Sequence, residues 1–210
     1  VTLDAEASAL ATQIGAGSVH LFGHSYGGAV ALQFALRWPE RVKSLTLYEP
    51  VRFGLLLRDP ATRAACEDVV GFGRRIGQEV LAGSLWQAAQ QFVDYWSGDG
   101  AWAQVPAKRR PLLAARMNKV NAEFEALFAD SVPAAAYRAL TMPVQLLGGS
   151  RSPLPARLVL GLLAAQWPRA IRTTIAGLGH MGPVEAPQRV LKALAGQGRT
   201  RHGGGDELDE

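Results

Sequence analysis

Apolar positions at Leu3, Ala7, Leu10 and Ile14 fall at spacings of four, three and four, which predicts an amphipathic helix. Gly15 and Gly17 stop it. Val19 to Phe22 reads as a strand, followed by a glycine-rich turn and a helix that runs to about Arg37, before Pro39. Val42, Leu45, Leu47 and Tyr48 make a second strand, closed by Glu49-Pro50. Strand, helix, strand in succession predicts a parallel βαβ unit.

The pattern then changes. From about Val51 to Leu140 it is helical throughout, with Leu113, Met117, Val120, Phe124 and Leu127 recurring every three or four residues. Phe92, Tyr95 and Trp96 form a shorter stripe in the same block, which also holds Trp86 and Trp102. This stripe reads either as the packed face of a helix or as the lining of an apolar pocket. Alternation returns with a strand at Val144 to Leu147, a helix at Pro155 to Trp167, a strand at Ile171 to Ile175 and a helix at Pro187 to Ala195. The expected fold class is therefore α/β, with about four parallel strands and a helical insertion. After about Gly196 almost nothing apolar remains to be buried, and a disordered tail is expected over 197–210.

Composition narrows the function classes. At 210 residues with 48% apolar and 19% charged residues, the chain fits one globular domain with an inserted subdomain. Its longest apolar stretches, such as Leu158 to Ala165, are too short to span a bilayer, so no membrane partner is expected. The single cysteine, Cys66, excludes an internal disulfide framework and a multi-cysteine metal site. The opening Val1-Thr2-Leu3-Asp4 carries neither the basic start nor the apolar core of a secretory signal, and a cytoplasmic location is expected. The net charge of +4 comes from scattered basic residues, with one compact run at Lys108-Arg109-Arg110 and no nucleic-acid-binding pattern around it. No nucleic-acid partner is expected.

The strongest chemical signal is Gly23-His24-Ser25-Tyr26-Gly27-Gly28, set between a predicted strand and a predicted helix. A serine there sits on a sharp turn with its hydroxyl lifted above the sheet edge, and Gly23 and Gly27 are expected to be small because side chains would collide. The helix that starts at Tyr26 would aim its free N–H groups and positive dipole end at the same point, making the Tyr26 N–H a candidate oxyanion donor. Four histidines are available as a base. His20 lies in the strand and is expected to pack into the sheet, His24 points away from the serine's reach, and His202 is in the tail. His180, in the flexible loop Gly177-Leu178-Gly179-His180-Met181-Gly182 after the last strand, is the candidate base.

The phrases Leu-Phe-Gly-His-Ser-Tyr-Gly-Gly, Trp-Pro-Glu-Arg-Val and Gly-Leu-Gly-His-Met-Gly-Pro resemble the α/β-hydrolase fold family. The resemblance covers nearly all the ordered chain. It implies a core of residues 1–50 and 141–196 and a helical cap over 51–140. It also implies the order nucleophile, acid, histidine, with Ser25 first and His180 last. In most members the acid follows the next-to-last strand, but here that loop, Gly148-Gly149-Ser150-Arg151-Ser152-Pro153-Leu154-Pro155, has no carboxylate. Some members, including haloalkane dehalogenases, carry it one strand earlier, where this chain has Tyr48-Glu49-Pro50; Glu49 is the candidate acid.

A serine nucleophile excludes the alkyl-enzyme chemistry of haloalkane dehalogenases and epoxide hydrolases, which need a carboxylate there. The reading is a serine hydrolase of an ester or related acyl or carbonyl substrate, with a small, apolar substrate as partner and no metal or organic cofactor. An acyltransferase differs only in the acceptor. The alternative is a non-catalytic binding protein on a degenerate scaffold of the same fold. The resemblance also implies that the four strands are the second half of an eight-stranded core. The chain would then be a fragment of a longer enzyme, lacking the loop that supplies a second oxyanion donor. The edge of the Val19–Phe22 strand would be left bare for self-association.

Overall fold

The computed structural model describes residues 1–195; the tail expected to be disordered lies outside the described residues. Helix α1 (Leu3–Ile14) begins where the Thr2 hydroxyl accepts the amide of Ala5 and ends at Gly15, whose φ of 69° breaks the helical path. Strand β1 (Val19–His24) leads into α2 (Tyr26–Arg37), and β2 (Val42–Tyr48) follows a short 3₁₀ turn at Pro39–Arg41. After the central helical block come β3 (Val144–Gly149), a helix at Leu154–Ala164, β4 (Ile171–Ile175), and helices at Gly182–Glu185 and Pro187–Ala195.

The four strands form one parallel sheet in the order β1-β2-β3-β4. Leu21 pairs with Leu45, and Leu45 with Val144, so the apolar residues of adjacent strands lie side by side. The inner strand β3 is buried at five of its six positions, all but Gln145, so its sequence lacks the regular alternation of a half-buried strand. The outer strands β1 and β4 alternate between half-buried and exposed residues over most of their length. His20 on β1 therefore does not pack into the sheet as expected. It is exposed, and its ring Nδ1 hydrogen-bonds the Ser44 hydroxyl over 2.7 Å. An outer strand has room on its free face for a polar ring, so alternation, and not depth in the strand, decides its fate.

The helical block between β2 and β3 contains α3 (Arg63–Leu81), α4 (Leu85–Ser97), α5 (Ala101–Gln104), α6 (Arg110–Ala114) and α7 (Met117–Ala129). The stripe from Leu113 to Leu127 is carried by α6, a turn, and α7. Both ends of the block are riveted to the core at one place. Arg52, with no exposed surface, holds the Asp130 carboxylate with two nitrogens at 2.6 and 2.8 Å. Its remaining donors reach the Gln33 side chain at 2.8 Å and the Ala29 carbonyl at 3.2 Å, both on α2. A guanidinium with all three nitrogens hydrogen-bonded and a carboxylate beside it is a form in which a charge can be buried. Among the described residues, no helix is long and apolar enough to cross a membrane.

Candidate active site

The chain turns sharply between β1 and α2, and Ser25 sits on the turn with φ 54° and ψ −125°. A β-carbon on Gly23 would come within 2.6 Å of the Gly28 α-carbon and 2.8 Å of the Gly27 carbonyl oxygen, and one on Gly28 within 2.9 Å of Pro50 Cβ. The turn therefore closes only with glycine at 23 and 28. The expectation that Gly27 is sterically required is corrected, because nothing lies within 4 Å of a β-carbon there. The close approach runs across the turn to the strand end at Pro50, and Gly27 faces away from it. The Ser25 amide donates to Tyr48 O at 3.1 Å, and the Val51 amide to Ser25 O at 3.3 Å, which ties the turn to the end of β2.

Glu49 directly follows β2, with φ 43°. Ser25 and Glu49 are the two non-glycine residues of positive φ among the described residues. Left-handed backbone at such residues costs on the order of 1–3 kcal/mol and persists where the surroundings impose it. Both strained residues hydrogen-bond the same imidazole. His180 Nε2 lies 2.9 Å from Ser25 Oγ, and His180 Nδ1 lies 2.8 Å from Glu49 Oε2. A carboxylate can only accept, so Nδ1 carries the proton and Nε2 is left to accept from the serine hydroxyl. Glu49 is fully buried and His180 is 1% exposed, so water does not compete for either bond.

The loop carrying His180 was expected to be flexible. Instead it is fastened along its length. The Tyr48 hydroxyl donates to Gly179 O at 2.8 Å, and the Arg151 amide to Leu178 O at 2.9 Å. The ring Nε2 of His24 donates to the carbonyl of His180 itself at 2.8 Å. Burial, then the neighbouring His180, holds the His24 pKa down to about 4, so this ring is neutral and its Nε2 keeps a proton to give. Burial, then the charge of Glu49, pushes the Tyr48 phenol well above its ordinary value. The other oxygen of Glu49, Oε1, accepts from the Gly149 amide at 2.7 Å and the Ser152 hydroxyl at 2.5 Å. Sequence reasoning assigned no role to Tyr48, Gly149 or Ser152. Their signal was present in the polar residues beside Glu49 and in the carboxylate-free loop after β3.

The site is roofed by the helical block. Trp96 of α4 packs its ring on that of His180, with centroids 4.2 Å apart. Beside Ser25 lies a cavity of about 40 Å³, bordered by Tyr26, Phe53, Trp96, Phe124 and Leu127. A much larger cavity of about 790 Å³ opens between α4, α6 and the Met181–Glu185 stretch, but neither Ser25 nor His180 borders it. The residues of the aromatic stripe pack on one another and also border cavities, and Trp96 does both. Phe92 and Trp96 border both cavities, while Tyr95 packs against Phe72 at a centroid distance of 3.9 Å.

Chemically, the arrangement offers a hydroxyl beside a neutral nitrogen base whose far side is held by a buried carboxylate. The first amides of α2, which have no partner within the helix, lie directly after Ser25. Among the described residues, no group of three or more His, Cys, Asp or Glu side chains is placed to hold a metal ion.

Solved structures with this fold include an alpha/beta hydrolase enzyme from a Medee basin deep-sea metagenome library. It is 17% identical with a TM-score of 0.72, covering 99% of this chain and 72% of that one. A thermophilic esterase from Thermogutta terrifontis is 24% identical with a TM-score of 0.70, covering 96% and 74%. A 2-hydroxy-6-oxo-6-phenylhexa-2,4-dienoate hydrolase from Rhodococcus sp. strain RHA1 is 19% identical with a TM-score of 0.65, covering 90% and 67%. No curated protein matched the chain. The family model described as alpha/beta hydrolase fold matches residues 3–187, a span that takes in the turn at Ser25, the end of β2 and the His180 loop. The chain belongs to the alpha/beta hydrolase fold family.

Proposed function

We propose that the protein is a serine hydrolase that cleaves an ester or related acyl or carbonyl substrate through an acyl-enzyme, with Ser25, His180 and Glu49 as its triad. The observation that carries this reading is the unbroken relay from Ser25 Oγ through the two His180 nitrogens to Glu49, at 2.9 and 2.8 Å. Residues 51–140 act as the cap of this site.

Ser25 Oγ attacks the carbonyl carbon while His180 Nε2 takes its proton. Glu49 holds the imidazole in the tautomer that can accept that proton, and stabilises the imidazolium that results. The carbonyl oxygen, now negative, faces the Tyr26 N–H and the positive end of α2. When the tetrahedral intermediate collapses, the Nε2 proton passes to the departing alkoxide. Water, activated by the same nitrogen, then releases the acid and restores the serine.

The test is labelling of the purified chain with a fluorophosphonate, read by intact mass beside Ser25→Ala. One adduct on the parent chain and none on the variant is the expected result. An unlabelled parent chain, or equal labelling of the variant, overturns the reading and favours a non-catalytic scaffold. The esterase among the similar structures makes p-nitrophenyl esters the first substrates to assay.

A further inference from the structure

The two cavities beside the site differ about twentyfold in size, and one side chain stands between them at the reacting centre. The 40 Å³ cavity at Ser25 has room for about three water-sized groups, the size of an acetyl or propionyl chain. The 790 Å³ cavity falls in the range that holds a small organic ligand, yet it does not reach Ser25. Phe92 and Trp96 border both. Of these two, Trp96 is the one in contact with the His180 ring.

Trp96 is 4% exposed and is packed from several directions. Phe53 lies parallel to it within 9°, at a centroid distance of 6.4 Å. Phe72 at 6.3 Å, Tyr95 at 4.8 Å and Phe92 at 6.4 Å meet it edge to face. In a close-packed cluster of this kind, a ring cannot swing aside without displacing its neighbours. The other apolar walls of the small cavity, Val51, Phe53, Val120, Phe124 and Leu127, do not border the large one. Shortening those side chains enlarges the small cavity alone, whereas shortening Trp96 joins the two cavities.

We infer that Trp96 sets the acyl size accepted at Ser25. It is a partition that confines the acyl group to two or three carbons and withholds the large apolar cavity from longer chains. The inference rests on Ser25 being the nucleophile. Phe92 and Met181 would then line the path that an extended chain follows once the partition is shortened.

The test compares kcat/KM for p-nitrophenyl acetate, butyrate and octanoate in the parent chain, Trp96→Ala and Trp96→Phe. The parent chain favours acetate. In Trp96→Ala the octanoate-to-acetate ratio rises by about tenfold or more, the discrimination that a tight apolar pocket exerts on added methylenes. Trp96→Phe keeps a ring in the cluster and guards against loss of folding in the alanine variant; its butyrate-to-acetate ratio rises severalfold. A parent chain that hydrolyses octanoate as readily as acetate overturns the inference, and so do unchanged ratios in a folded variant. Fluorophosphonate labelling of the same samples separates the two possible failures. Labelling at Ser25 with unchanged ratios overturns the partition alone, whereas no labelling and no ester hydrolysis overturns the nucleophile and the partition together.

Discussion

The Ser152 hydroxyl and the Glu49 carboxylate meet 2.5 Å apart, although they lie at the ends of different strands. With the Gly149 amide at 2.7 Å, Ser152 occupies Oε1 and leaves Oε2 to His180. The end of β3 and the loop after it, which have no acid of their own, thus supply the donors that hold the acid presented at the end of β2.

Ser152→Ala removes one of these donors from a buried charge. The expected cost is about 1.5–3 kcal/mol of stability, the range for a hydrogen bond to a charged group, together with a fall in kcat and little change in KM. Urea unfolding and ester kinetics on the same preparation check both. A variant as stable and as active as the parent would show that Ser152 contributes nothing to holding Glu49.

His24 makes stability depend on pH in a defined direction. Its folded pKa lies near 4, below the ordinary 6.5, so the unfolded chain binds the extra proton first. The stabilisation is complete above pH 6.5 and is lost as pH falls towards 4, by at most about 3 kcal/mol. Urea unfolding between pH 7 and pH 4 should therefore show a steeper decline for the parent chain than for His24→Gln. Parallel pH curves contradict this assignment.

Much of this architecture was legible in the sequence, for reasons that can be named. The β2 residues Val42, Leu45, Leu47 and Tyr48 are buried by one sheet and read as a strand. Ser25 was legible because so tight a turn imposes glycine on its neighbours, although steric closure falls on Gly23 and Gly28 and leaves Gly27 free. What stayed hidden depends on contacts distant in sequence. Neither Arg52 nor Asp130 has a local pattern that announces a buried pair spanning the helical block. The same is true of His24, whose partner is a backbone carbonyl at position 180. His20 was misjudged although a bare edge was expected on its strand, because the alternation that half-buries Val19 and Leu21 turns His20 and Phe22 to the exposed side.

Gly23→Ala and Gly27→Ala form a paired test of the turn. The first places a methyl 2.6 Å from backbone and should cost about 1–3 kcal/mol. It should also move Ser25 enough to lower kcat by about a hundredfold. The second meets nothing within 4 Å at the start of α2 and should leave the melting temperature equal or higher. Thermal melts of the two variants with the parent chain are sufficient, and equal melting of all three contradicts the steric account.

The Arg52–Asp130 pair predicts strong non-additivity. Asp130→Ala leaves a buried guanidinium without its counter-charge and should cost about 3–5 kcal/mol. Adding Arg52→Met removes the stranded charge, so the double variant should be more stable than Asp130→Ala alone. A double-variant cycle by urea unfolding reads this directly, and additive losses would mean that the pair does not act as a unit.

The central claim is that a carboxylate from β2 orients His180 for Ser25. The direct measurement is kcat/KM of Glu49→Gln on p-nitrophenyl acetate, with circular dichroism to confirm the fold. Glutamine can donate its amide proton to Nδ1, which favours the tautomer whose Nε2 cannot accept from Ser25. A loss of about 10⁴ in a folded variant is the predicted result. Activity within tenfold of the parent chain would contradict the account and remove Glu49 from the reaction.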